Sequence, residues 1–78
     1  MKNYWFLRIG MDAVEEALRF ANKRDAVAEY RRVANELAQY GQAIDATLHI
    51  AMYKHLVVEY PDFVLSLNEN GKVVTEKA

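Results

Sequence analysis

The residues whose types could do chemistry lie together on one predicted strand, residues 44–50. Asp45, Thr47 and His49 recur at a spacing of two, which places a carboxylate, a hydroxyl and an imidazole on one strand face. A hydrolytic triad also needs an oriented nucleophile and an oxyanion hole, and no G-x-S-x-G or comparable turn is present. Alternation alone predicts polar residues at these positions. We therefore interpret them as the solvent side of a strand and predict that the protein is not an enzyme.

The histidines give no metal site by their spacing. His49 and His55 each lie four residues from a carboxylate, that of Asp45 and that of Glu59, and the chain has no cysteine. A spacing of four brings two ligands together on a helix, whereas Asp45 and His49 lie on a predicted strand. We expect no metal and no cofactor. The lack of cysteine is typical of a reducing compartment, so we expect a cytoplasmic protein.

Length and composition predict a single folded domain, residues 1–78. The chain has 78 residues, of which 53% are hydrophobic and 12% aromatic, a composition that argues against disorder. The formal net charge of −1 lacks the basic excess typical of duplex-binding proteins, so direct nucleic-acid binding is not expected. The N-terminal residues carry an apolar run of four, Tyr4 to Leu7, which predicts neither a signal peptide nor a membrane span.

The elements that position these residues begin with one long helix. Apolar residues recur with helical spacing between Asn22 and Gly41: Ala26, Val27, Tyr30, Val33, Ala34, Leu37 and Ala38. Asn22 is a suitable N-cap, and Asp25 completes an imperfect capping box that also places negative charge at the positive end of the helix dipole. Gly41 is the expected left-handed stop. The pattern predicts a helix over about 23–40.

Strands are predicted on both sides of the helix. Residues 44–50 alternate, with Ile44, Ala46, Leu48 and Ile50 on the buried face. Residues 63–67 and 72–76 form a hairpin whose turn uses Asn70 and Gly71. Residues 11–21 have helical propensity, but the capping signal at Asn22 and a turn near Gly10 favour a strand that returns along residues 4–9. Residues 51–60 are expected to form a loop or a short helical turn.

The resulting order, β-β-α-β-β-β, predicts an α+β fold. We expect two layers: a mainly antiparallel sheet of 4–5 strands with one long helix packed on one face. One helix covers one face, so the other face is predicted to be open. If Trp5, Leu7 and Ile9 face the helix, the open face carries Tyr4, Phe6, Arg8, Thr47, His49, Val64, Ser66 and either Val73 or Val74. An uncovered apolar face of this kind indicates a recognition surface.

Two alternatives to an open recognition surface follow from the same pattern. Residues 51–60 could cover Tyr4 and Phe6, or a second copy of the chain could bury them in a homodimer. Aromatic residues beside Arg8 on a sheet are also similar to the platforms on which single-stranded RNA stacks, although no RNP-type sequence is present.

Charged residues supply two further candidate surfaces. Acidic residues cluster around the last hairpin: Glu59, Asp62, Glu69 and Glu76. They could mimic phosphates in the basic groove of a partner, or serve only solubility. The helix carries Arg24, Arg31 and Arg32, which could follow a phosphate backbone. However, Glu29 and Glu36 stand at ion-pair spacing from Arg32, which favours a solvated face.

Three sequence strings carry a resemblance: NKRDAVAEY, GQAIDATLHIA and YPDFVLSLNENGKV. Together they resemble a group of short proteins carried by phages and prophages, and the likeness covers nearly the whole chain after residue 20. The resemblance implies a strand before the helix and a class of small proteins that includes anti-CRISPR inhibitors of host defence. No binding residue is carried over from that group.

These observations predict a non-enzymatic protein-binding inhibitor. The resemblance implies an anti-CRISPR-like protein that binds a CRISPR effector complex in the host cytoplasm and blocks its binding to target DNA. The predicted contact residues belong to the open sheet face and the acidic hairpin: Tyr4, Phe6, Arg8, Glu59, Asp62 and Glu69. The alternatives are a small nucleic-acid-binding phage regulator that uses Arg24, Arg31 and Arg32, and a structural homodimer.

Overall fold

A computed structural model describes residues 3–11, 14–41, 44–52 and 60–78. These ranges contain β1 (Tyr4–Met11), β2 (Val14–Phe20), α1 (Lys23–Ala38), β3 (Asp45–Ala51), β4 (Phe63–Leu67) and β5 (Val73–Lys77). The predicted α+β architecture is confirmed, with α1 packed on an antiparallel sheet of five strands. The segment before the helix is a strand, as favoured from the sequence.

The strand order is β2-β1-β3-β4-β5, and every neighbouring pair is antiparallel. Because β2 and β3 both pair antiparallel with β1, they run parallel to each other, and α1 supplies the long crossover that such a pair requires. Among the described strands, β2 and β5 are the edges of the sheet. The strand with the apolar run, β1, therefore lies inside the sheet.

Both ends of α1 follow the local chemistry. The Asn22 side-chain oxygen accepts a hydrogen bond from the Asp25 backbone N–H at 2.9 Å, which confirms the N-cap. The Asp25 carboxylate accepts from the side-chain amide of Asn22 at 3.2 Å, rather than from its backbone N–H as a capping box would have it. The helix ends at Ala38, two residues before the predicted limit. Gly41 has φ of +70°, the expected left-handed conformation.

The main core lies between α1 and the sheet. It contains buried residues from the helix and three strands: Leu7, Ile9, Ala26, Tyr30, Ala34, Ala46, Leu48 and Leu65. Small alanines on α1 let the helix approach the sheet closely, and Tyr30 fills the space between them. Burial raises the pKa of the Tyr30 phenol, and the nearby negative charge of Asp45 raises it further.

Lys23 holds the start of α1 against the sheet. Its Nζ lies 4.3 Å from the ring centroid of Phe63 and 5.8 Å from that of Trp5, and the two rings are 5.9 Å apart. An ammonium group at these distances is attracted to both rings. Trp5 therefore lies on the helix side, as predicted, together with Leu7 and Ile9.

The β4–β5 hairpin is closed by a turn that the sequence only partly predicted. Gly71 adopts φ of +77°, which confirms its role. The residue that organises the turn is Asn68, whose side-chain oxygen accepts from the N–H groups of Asn70 and Lys72 at 2.9 Å each. An asparagine at the start of a turn commonly bonds to the backbone ahead of it in this way. On β5, Val73 packs against the core and Val74 faces the other way.

Within the described ranges, no helix combines the length and the apolar character needed to cross a membrane.

Candidate functional site

The outer face is the sheet surface opposite α1. Tyr4, Phe6 and Arg8 share it, since the residues between them on β1 belong to the helix-side core. Its central row joins Phe6 to Arg19 of β2 and to His49 of β3, and a neighbouring row joins Arg8 to Thr47. The predicted orientation of β1 is therefore correct. No described helix or strand packs on this face.

The predicted exposure of Phe6 is wrong. Its relative solvent exposure is 0% within the single chain, and that of the opposing His49 is 3%. Neither belongs to the cluster beneath α1, so the centre of the outer face is a second buried region. A homodimer is not needed to bury this ring. The alternative that residues 51–60 cover it concerns a segment of which 53–59 lie outside the described residues.

His49 and Ile50 reverse the alternation expected on β3. His49 was predicted to face solvent and is buried, whereas Ile50 was predicted to be buried and is 39% exposed. Ile50 is exposed because β4 is short. The pairing of β3 with β4 ends at Leu48, opposite Phe63, so Ile50 extends beyond the end of β4. The free N–H of Ile50 donates instead to the Asp62 carboxylate at 2.7 Å.

The acid, hydroxyl and imidazole on β3 are only partly assembled. The Thr47 hydroxyl and the Nε2 of His49 are 3.0 Å apart and share a hydrogen bond. Asp45 is exposed at the start of the strand, and within the described part of the chain its carboxylate accepts no hydrogen bond from either. The structure thus joins two of the three groups. We interpret the Thr47–His49 bond as satisfying the Nε2 of a buried imidazole.

A stacked pair at the edge of the outer face was missed by the sequence analysis. The guanidinium carbon of Arg19 lies 4.7 Å from the ring centroid of Tyr4. Arg19 is exposed and Tyr4 is half-buried. Among the described residues, no carboxylate lies within ion-pair distance of Arg19. The contact follows from the register, because Phe6 is opposite Arg19 and Tyr4 is the diagonal neighbour.

Exposed apolar surface remains on the other half of the outer face. Val64 is 43% exposed, Ser66 is exposed and Val74 is half-buried. Val64 lies between Thr47 and Glu76 in the sheet register. The outer face therefore has a buried centre, the Tyr4–Arg19 pair toward β2 and exposed apolar surface toward β4 and β5.

The described members of the predicted acidic cluster do not form one patch. Asp62 immediately precedes β4 and Glu69 lies in the turn beyond its other end. At about 3.3 Å per residue, an extended strand of this length separates them by roughly 20 Å. The Asp62 carboxylate is also engaged by the N–H of Ile50. Glu69 and Glu76 are exposed, and Glu59 lies outside the described residues.

The helix arginines divide into two kinds. Arg32 pairs with Glu29 and also with Glu36, the latter at 3.3 Å, which confirms the ion pairs expected from the spacing. The hydrogen bond from Arg32 lowers the pKa of Glu29, and the same contact raises the pKa of Arg32. Arg24 lies 4.0 Å from Asp25 with its side chain 89% exposed, and Arg31 is exposed.

Among the described residues, no three side chains of histidine, aspartate or glutamate come together as metal ligands would. His55, the second histidine considered for a metal site, lies outside these residues.

Comparison of the chain with known protein families, with curated proteins and with solved structures finds no match.

Proposed function

We propose that the chain is a non-enzymatic protein-binding module that uses the rim of its outer face. The observation that carries this proposal is the stacked pair of Tyr4 and Arg19, in which an exposed guanidinium is held 4.7 Å from an aromatic ring. Tyrosine and arginine are among the residue types that contribute most to protein interfaces. Here both occur at one edge of a rigid sheet.

The stacking prepares Arg19 for binding. A free arginine side chain loses rotamer entropy when a partner immobilises it, and this cost reduces affinity. Contact with the Tyr4 ring restricts the guanidinium beforehand and leaves its N–H groups available. Because no described carboxylate neutralises Arg19, its charge favours a carboxylate or another acidic group on the partner.

The buried centre of the outer face contributes rigidity to the site. Phe6 is opposite Arg19 in the register and is fully buried, so it fixes the part of the sheet that carries the pair. The exposed Val64 extends the surface toward β4. Apolar area near a preorganised polar pair is typical of interface cores with a polar rim.

The specific partner we propose is a CRISPR effector complex, whose binding to target DNA the chain would block in the host cytoplasm. The support is the resemblance to short phage and prophage proteins. The separation of Asp62 from Glu69 disfavours phosphate mimicry by the hairpin, so the outer face is the favoured contact surface. The partner would then present acidic or aromatic groups to Arg19.

The test is capture of purified type I effector complexes by the tagged protein, followed by a target-DNA binding assay. Tyr4→Ala removes the ring that supports Arg19, and we expect it to weaken capture at least about tenfold if the pair is central to the interface. Arg31→Ala on the exposed side of α1 is the matched control and is expected to bind like the wild type. Unimpaired DNA binding by effectors of several subtypes would refute the CRISPR assignment. Equal capture of a partner by wild type and Tyr4→Ala would refute the role of the outer face.

One observation favours nucleic-acid binding as a second function. Arg24 and Arg31 are seven residues apart on α1, so they lie on one helical face about 10 Å apart along the axis, and both are exposed. Phosphate contacts of this kind predict affinity that falls steeply with salt, and Arg31→Gln should reduce the salt slope by about one. Flat anisotropy titrations against single- and double-stranded DNA and RNA at low salt would eliminate this function.

A further inference from the structure

We propose that β2 pairs with β2 of a second copy of the chain, so that two five-stranded sheets join at their edges into one. The inference concerns a sheet edge and does not depend on the proposed function, although both involve Arg19. It begins with the position of β2, which has β1 on one side and no described strand on the other. With seven residues it is longer than the other edge strand, β5, which has five.

The backbone groups that point away from β1 can be assigned from the register. Met11 pairs with Val14 across a connection of two residues, and the pair that closes a two-residue hairpin is a hydrogen-bonded pair. Every second residue of β2 from Val14 onward therefore bonds to β1. The residues between them, Glu15, Ala17 and Arg19, direct their N–H and C=O groups to the free edge.

An unpaired edge of this kind is a template for another strand. Natural proteins block such edges with proline, with a bulge or with charged side chains. The sequence VEEALRF of β2 contains no proline, and its charged residues, Glu15, Glu16 and Arg19, are of both signs. The β1–β2 register is continuous over seven pairs, so no bulge interrupts it.

A second copy fits this edge in one symmetric register better than in its neighbours. When Ala17 lies opposite Ala17 of the second copy, Glu15 lies opposite Arg19 in both directions, and all three outward-facing residues are paired. Moving the register one step toward the turn places Glu16 opposite Glu16, a repulsive pair. Moving it the other way leaves Glu15 without an opposing residue of β2. The best register for hydrogen bonding thus also pairs strand positions whose residue types carry opposite charges.

The small side chain at the symmetry axis suits this arrangement. Ala17 lies at the centre of the pairing, and it carries no bulk that would separate the two strands. The interface would be short, so the dimer is expected to be weak and to dissociate on dilution.

Sedimentation velocity from about 5 µM to about 500 µM covers the affinities that a short edge-to-edge interface supports. We expect a concentration-dependent shift from monomer to dimer for the wild type. Ala17→Pro should abolish it, because proline removes an outward N–H and a ring at a sheet edge costs no bond to β1. Ala17→Ser keeps the N–H and is the matched control.

Charge reversal provides a test that does not depend on tolerance of proline. Glu15→Arg and Arg19→Glu each place like charges opposite one another and should weaken self-association at least about tenfold if both pairs are lost. An equimolar mixture of the two variants restores opposite charges and should associate as a heterodimer. Val64→Asp changes the exposed part of the outer face and should leave the edge dimer intact.

Three results would overturn the inference. The first is a wild-type protein that stays monomeric over the whole concentration range. The second is a mixture of the charge-reversed variants that does not associate. The third is a dimer that survives Ala17→Pro and is lost in Val64→Asp, which would mean that two copies meet through their outer faces.

Discussion

Replacing Phe6 by alanine should destabilise the protein as strongly as a mutation in the core beneath α1. Phe6 is 0% exposed although it lies on the face away from the helix. A buried phenylalanine covers roughly 150–250 Å², and truncation of such a side chain to alanine costs about 3–5 kcal/mol in free energy of unfolding. A domain of this length has a total stability of only about 4–12 kcal/mol, so the effect is a large part of the whole.

Urea and thermal unfolding followed by circular dichroism measure this effect. At about 4–8 °C per kcal/mol for a domain of this size, Phe6→Ala should lower Tm by roughly 12–40 °C. Because this variant can be too unstable to purify, Phe6→Leu is the second probe. Leucine keeps the site apolar at a somewhat smaller volume and should cost about 1 kcal/mol.

Tyr4→Ala is the matched comparison, since Tyr4 is on the same strand face and only half-buried. Its loss removes one exposed cation–π contact, worth about 0.5–1 kcal/mol, and part of a ring. We expect a smaller loss of stability than for Phe6→Ala. Surface substitutions usually change stability by no more than about 0.5 kcal/mol. If Phe6→Ala cost as little as this, the outer face would have no buried centre and would not make the site rigid.

Three further outcomes follow from local contacts. Asn22→Ala removes the cap on α1 and should lower the free energy of unfolding in urea by about 1 kcal/mol. Asn22→Asp keeps a hydrogen-bond acceptor and should lower it much less. Equal losses in the two variants would show that the cap is not stabilising. Gly71→Ala places a side chain at φ of +77° and should cost roughly 1–2 kcal/mol, while Gly71→Asn should be tolerated better. For Tyr30, the raised pKa means that the folded state favours the neutral phenol. The free energy of unfolding is therefore unaffected below pH 10 and falls as the pH rises through the folded pKa. Absorbance at high pH should show one tyrosine that ionises late, and this late ionisation should be absent in Tyr30→Phe.

The sequence predicted which residues share a strand face but not which of those residues are buried. Alternation correctly placed Tyr4, Phe6 and Arg8 opposite the helix, because side-chain direction depends only on position in the strand. Burial also depends on what neighbouring chain lies above a face, and no local pattern contains that information. For this reason the prediction that Phe6 and His49 are exposed was wrong, since both are buried.

The Tyr4–Arg19 contact was missed because it depends on the register of two strands. The hairpin return was recognised, with the turn placed near Gly10, but the pairing of Met11 with Val14 is what makes Phe6 the partner of Arg19. A connection of two residues between β1 and β2 fixes this register and with it the diagonal contact. Capping at Asn22 and the stop at Gly41 were predictable because both depend on chemistry within a few residues.

The distribution of burial explains the unbroken apolar run on β1 and limits where a partner can bind. Phe6 and Leu7 are adjacent, point to opposite faces and are both 0% exposed, so β1 is covered on two sides. A strand buried on both faces is expected to show a continuous apolar run instead of alternation. Toward β4 the outer face becomes accessible again, as the 43% exposure of Val64 shows. A partner of the kind we propose could therefore not insert at the centre of the sheet and would bind at its rim, where the Arg19 guanidinium lies against the Tyr4 ring.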